Sequence, residues 1–171
     1  MWTARRILKE LTDSGVRKRI LTAFWLHAEP SSRLLAAHHL AQALRFRDET
    51  IRKMTPGRKA ELLASRIGAP EFDEFLEVAL MQYHTHEKKE LMAALLDRWN
   101  IPHENGSIEA DDYARPDADQ VRDALREVEA RFDRGEIVLY LAAAGLLMDD
   151  AWRAAAWPVV DEMTAAAPRQ G

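Results

Sequence analysis

Six histidines, His27, His38, His39, His84, His86 and His103, are the residues of this chain best suited to hold a metal ion or move a proton. Their spacing argues against the standard arrangements. A di-iron carboxylate bundle needs Glu-x-x-His on inward-facing helices, and no histidine here has a glutamate three residues before it. The zinc-protease pattern His-Glu-x-x-His is absent, because neither His86-Glu87 nor His103-Glu104 is followed by a histidine three residues on. Two looser groups of candidate metal ligands remain: His84, His86 and Glu90 at one end of a helix spanning Glu87 to Trp99, and His103 with Glu104 at the other. A helix rises 1.5 Å per residue, which puts those ends about 18 Å apart. A neighbouring helix or a second chain would have to complete either half.

Other chemistries have less to work with. There is no cysteine, so thiolate nucleophiles, thiolate metal sites and disulfides are excluded. No Gly-x-Ser-x-Gly, Ser-x-x-Lys or glycine-rich phosphate loop occurs, and seven glycines are few for a cofactor cradle. The carboxylates Glu109, Asp111 and Asp112 lie in a polar stretch with no apolar surroundings to tune one of them as an acid. No standard catalytic motif is present and no cofactor is predicted.

The elements that must position these residues are helical. Ile137 to Met148, IVLYLAAAGLLM, carries no charge, and its only side-chain polar atom is the Tyr140 hydroxyl. A helix apolar on all sides belongs in the middle of others, and this run is too short for a membrane span of about 18 residues or more. Around it the spacing predicts helices from Ala4 to Asp13, Val16 to His27, Arg33 to Met54, Pro56 to Ile67, from Pro70 onward, to Trp99, from Pro116 to about Arg134, and after Asp150. Phe72, Phe75, Leu76, Ala79, Leu80 and Tyr83 form the clearest core stripe.

Boundary signals support this division. Glu29-Pro30-Ser31-Ser32 breaks the chain and offers a serine cap, and Thr55-Pro56 reads as N-cap followed by proline at the first helical position. Gly68 is placed for a left-handed cap. Pro70 to Trp99 is one helix or two, and the polar run after Tyr83 favours a turn near Thr85. His103 to Arg115 reads as an irregular loop with a turn at Asn105-Gly106, Pro158 kinks or restarts the last helix, and the tail from Ala165 to Gly171 is expected to fray. The segments KAELLA and KELMAA hint at a repeat of about 30 residues.

No stretch alternates as a strand does. The expected fold is therefore all-α, a single domain over residues 1–171 built as a compact bundle of seven to nine helices, mostly antiparallel pairs, with a short α-solenoid-like array as the variant.

Charge is unevenly spread. Residues 1–60 hold 13 Lys/Arg and 5 Asp/Glu, whereas residues 61–171 hold 11 and 23. The basic half either pairs with the acidic half, within a chain or across a dimer, or is a surface for an anionic partner. Leu62 to Phe75 has the outline of a helix-turn-helix, but its second helix offers Glu71, Asp73, Glu74 and Glu77 where phosphates would lie. Nucleic-acid binding would fall instead to Arg17, Lys18 and Arg19 with Arg45 and Arg47.

The resulting expectation is a cytoplasmic, non-enzymatic helical module whose partner is another protein or a second copy of itself, with no export signal and no membrane. The alternatives are a metal- or small-ligand-binding protein using the histidine groups and a nucleic-acid binder using the basic half. Of the five tryptophans, Trp2 and Trp25 lie in the basic half, and Trp25 follows Phe24, so at most one of that pair faces the core directly. Exposed beside Leu8 and Leu11, and flanked by Arg17, Lys18 and Arg19, they would mark an interface.

Overall fold

The computed structural model describes residues 1–110 and 112–166 and is all-α. Ten α-helices follow in order: α1 Ala4–Glu10, α2 Ser14–His27, α3 Pro30–Leu44, α4 Asp48–Lys53, α5 Pro56–Ala64, α6 Asp73–Glu87, α7 Lys89–Arg98, α8 Ala118–Val128, α9 Arg134–Leu147 and α10 Asp150–Ala166. The tenth arises because the expected helix from Arg33 to Met54 is two. Arg45 takes φ 56°, and the amide of Phe46 bonds back to the Ala41 carbonyl at 2.8 Å, a left-handed closure normally assigned to glycine. Gly68, expected to make such a cap, does not, and α5 instead runs out through three-residue turns at Arg66, Ile67 and Ala69. The expected turn near Thr85 falls at Lys88, between α6 and α7.

Contacts divide the chain into an N-terminal unit, Ala4–His86, and a C-terminal unit, Glu87 onward with Met1–Thr3. In the N-terminal unit α2 packs chiefly on α5, and α3 on α4. Its centre is aromatic: Phe24 meets Trp25 edge-on at 5.0 Å and Phe75 at 5.9 Å, while the His39 ring lies against Phe72 and Phe75. Thr55 caps α5 by accepting from the Arg58 amide, as its sequence predicts. α3 starts one turn earlier than expected, with Pro30 at its first position and no serine cap.

The C-terminal unit is built on α9, in which every residue from Ile137 to Gly145 is buried. Trp157 Nε1 donates to the Ala142 carbonyl and Arg153 Nε to the Gly145 carbonyl, so α9 and α10 run antiparallel. A β-carbon on Gly145 would lie 2.5 Å from Trp157 Cδ1, and the two helices approach this closely only because none is there. α10 continues through Pro158 without interruption, and α8 is fixed by a capping box between Asp117 and Gln120.

The stretch expected to be irregular contains a small hairpin. β1, His103–Glu104, pairs antiparallel with β2, Ser107–Ile108, through Asn105 and Gly106 at φ 50° and 86°. Positive φ at both positions is the type I′ turn that matches strand twist. Two residues per strand are too few for any alternation to be read from sequence. Among the described residues no helix is long and apolar enough to cross a membrane.

Candidate binding cleft of the N-terminal unit

Pro30, Arg33, Leu34 and Ala37 recur at the spacing of one helix face, which places all four along the same side of α3. That side, the Trp25 ring from the last turn of α2, Arg52 from α4 and Lys59 from α5 enclose an open cleft of about 290 Å³. Trp25 forms its floor. Trp25 is 4% exposed, and Lys59 Nζ sits 5.2 Å from its ring centroid in a cation–π contact. Arg33 donates from Nη1 to the Trp25 carbonyl at 3.2 Å, which ties α3 to the end of α2.

Three cations thus surround one apolar floor. Among the described residues none of Arg33, Arg52 and Lys59 has a carboxylate at ion-pair distance, whereas Lys18 and Arg58 share Glu61. Burial, and after it the Arg33 charge, hold the Lys59 amine below the usual lysine range. An anion entering the cleft would relieve the repulsion between Lys59 and Arg33. Leu34, which lines it, is 54% exposed. The cleft joins positive charge to apolar surface. It contains no carboxylate or imidazole to move a proton.

The chain matches no family model, and neither a curated protein nor a solved structure is detectably similar to it.

The structure disperses the metal-ligand candidates into separate structural roles. His84 is buried and bonds through Nδ1 to the Leu80 carbonyl at 2.8 Å, within its own helix. His86 stacks on His27 at 3.8 Å between ring centres. His103 holds Asp97 through Nε2 at 3.0 Å and accepts the Gly106 amide at Nδ1, closing the hairpin turn. Glu90 and Glu104 are exposed. Among the described residues no three His, Asp or Glu side chains gather at a point where a metal ion could sit. Asp111 lies outside the described residues.

The interface candidates are also redistributed. Trp2, Leu8 and Trp25 are buried and Leu11 half-buried, so no apolar surface forms there. Trp2 Nε1 donates to Asp161 at 3.0 Å. Phe24 and Trp25 are both buried, against the expectation for adjacent helical residues, because Phe24 turns to Phe75 while Trp25 is covered by α3 and Lys59. In the basic triplet Arg17 closes the end of α1 by bonding to the Leu8 and Thr12 carbonyls, and Lys18 pairs with Glu61. Arg19 alone of the three is exposed and without a carboxylate partner among the described residues.

None of Arg33, Arg52 and Lys59 stands out as a site residue in the sequence. Arg33 and Arg52 each have an acid four residues earlier, Glu29 and Asp48, the spacing at which helical ion pairs form. Glu29 sits outside the helix as its N-cap, and Asp48 is taken by His38 Nδ1 at 2.7 Å. Lys59 was the readable signal, since no acid lies three or four residues from it on either side.

Proposed function

We propose that the protein is a non-enzymatic helical interaction module whose N-terminal unit docks an acidic stretch of a protein partner on the Trp25 cleft. The observation that carries this reading is the set of three cations without carboxylate partners among the described residues, around Trp25 and beside the exposed Leu34. Apolar contact and charge pairing then act at one place, as they do in the core and rim of protein interfaces. The cleft lies at the lower end of the range for small-ligand pockets, roughly 300–1,000 Å³, a size suited to one or two side chains rather than a nucleotide cofactor. Nucleic acid is the less favoured partner because Arg17 and Lys18 are committed within the fold.

The test is a fluorescence-anisotropy titration of the full chain with a short labelled peptide of alternating Glu and Leu. Binding that weakens about tenfold in Arg52→Glu/Lys59→Glu, and weakens with salt, is the expected result. Equal binding by the variant would reject the cleft.

A further inference from the structure

The two units treat their charges differently, and the difference points to what fills the cleft. From Asp117 to Glu162 every carboxylate of the C-terminal unit is engaged: Asp117 and Asp133 cap helices, Asp161 takes Trp2, and the rest form ion pairs such as Arg98 with Glu127 and Arg122 with Glu162. Before Asp117 the pattern reverses. The side chains of Glu87, Glu90, Glu104, Glu109 and Asp112 make no ion pair or hydrogen bond among the described residues, and all five are exposed.

Three of these acids lie on or just beyond the hairpin, which is held in a fixed shape. Its turn is closed by His103, and a β-carbon on Gly106 would lie 2.8 Å from Met92 Cβ and 2.9 Å from the Lys89 carbonyl oxygen, so the turn seats directly against α7. A segment already held in shape docks without the entropic cost of ordering a loop. The unit that carries the hairpin has 18 Asp/Glu against 10 Lys/Arg, while the unit that carries the cleft has 14 Lys/Arg against 10 Asp/Glu.

Resting on the reading of the cleft as a docking site for acidic segments, we infer that its partner is a second copy of this chain, with the side chains of Glu104 and Glu109, on and just beyond the hairpin of one copy, entering the Arg33, Arg52 and Lys59 cleft of the other. The unpaired cations and the unpaired acids satisfy each other, and the opposite net charges of the two units steer the encounter. Such a contact joins two different surfaces, so it closes as a reciprocal dimer or propagates as a longer assembly.

The experiment is light scattering of the full chain at about 0.1 M and about 1 M salt, where the screening length falls from about 10 Å to about 3 Å. It is run on wild type, on Arg52→Glu/Lys59→Glu, on Glu104→Lys/Glu109→Lys, and on an equal mixture of the two variants. Circular dichroism checks that each is folded, and Arg52→Glu alone, at an exposed position, replaces the cleft double variant if that one is not. The expected result is an assembly above monomer mass at low salt that dissociates at high salt. Each variant alone is monomeric, and the mixture regains the assembly, because reversed cleft then meets reversed hairpin. A monomeric wild type at low salt overturns the inference, as does an assembly that neither reversal weakens or a mixture that stays monomeric. If the monomer still binds the Glu-Leu peptide in a manner sensitive to Arg52→Glu, the cleft reading stands and only the second copy is wrong. If it binds no peptide, both fail.

Discussion

In the C-terminal unit α9 and α10 meet backbone to side chain, with Gly145 under the Trp157 ring and alanines filling the middle of α9, whereas the centre of the N-terminal unit is a cluster of rings, Phe24, Phe72, Phe75 and Trp25. The charges follow the same division. Beyond Asp117 the C-terminal unit pairs or caps with its acids, and the N-terminal unit leaves Arg33, Arg52 and Lys59 unpaired beside its rings. Both units carry a recess of similar size, and charge is what separates them: the one between α7 and α8, about 300 Å³, is lined by Arg98 and Glu127 already paired with each other, whereas the one where α2 ends and α3 starts is lined by cations without carboxylate partners among the described residues. The likeness of the two units in helix content thus hides a difference in how each can meet a ligand.

The largest expected effects test whether both cores bear load. Phe24→Ala in the N-terminal unit and Trp152→Ala in the C-terminal unit each remove a fully buried ring, and each should cost about 3–5 kcal/mol in urea denaturation. Trp152 also loses its edge contact with Trp99 at 5.3 Å and its bond to the Tyr113 hydroxyl. A cost below about 1 kcal/mol at either position would mean that the ring cluster there contributes little packing.

Glycine to alanine sharpens the contrast, because the same change should have opposite signs in the two units. Gly145→Ala forces Trp157 to move and should destabilise by about 1–3 kcal/mol. Gly57→Ala, in the first turn of α5, meets only the end of Lys18 at 3.8 Å and should stabilise by about 0.4–1 kcal/mol through the unfolded chain. Thermal melts of both variants beside wild type would read this. A loss for Gly57→Ala, or none for Gly145→Ala, would remove the distinction between tight and open packing.

What the sequence made legible tracks how local the cause is. α9 could be read because no polar residue interrupts it, and the starts of α5 and α8 because Thr55-Pro56 and Asp117 carry their caps within three residues. The break after α3 could not be read, since Arg45 does a task that sequence patterns reserve for glycine. The hairpin was legible as a turn but not as strands. The cleft was hidden for a different reason: helical spacing offered Arg33 and Arg52 nearby acids, and only the third dimension shows that Glu29 is a cap and that Asp48 belongs to His38. Trp25 was misplaced because adjacency to Phe24 implies one inward ring on a helix with one neighbour, and α2 is covered by α5 on one side and by the start of α3 on another.

Smaller effects should separate the units by pH. In the C-terminal unit the Asp149 carboxyl is held below the usual carboxylate range, first by the Trp152 amide and then by Arg115. A depressed acid contributes stability that is present above the ordinary carboxylate value, about 3.9, and is lost as pH falls through the depressed one. Asp149→Asn should therefore flatten the acid limb of a stability–pH curve and leave the alkaline limb unchanged.

Lys59 gives the opposite limb and the smallest effect. Its amine is held below the ordinary lysine value, about 10.4, by burial and by Arg33, so folding disfavours its charged form. That penalty is present in full below the depressed value and fades as pH rises toward the ordinary one, so stability gains slightly across that alkaline window. Lys59→Met, which keeps the stem over Trp25 and removes the charge, should abolish the gain in melts taken through the window. The same linkage ties the amine to the cleft. An anion seated there favours the charged form, so binding of the Glu-Leu peptide at alkaline pH should take up protons from a weakly buffered solution, and Lys59→Met should take up none. Equal uptake by the variant would place the proton, and the anion with it, on some other group.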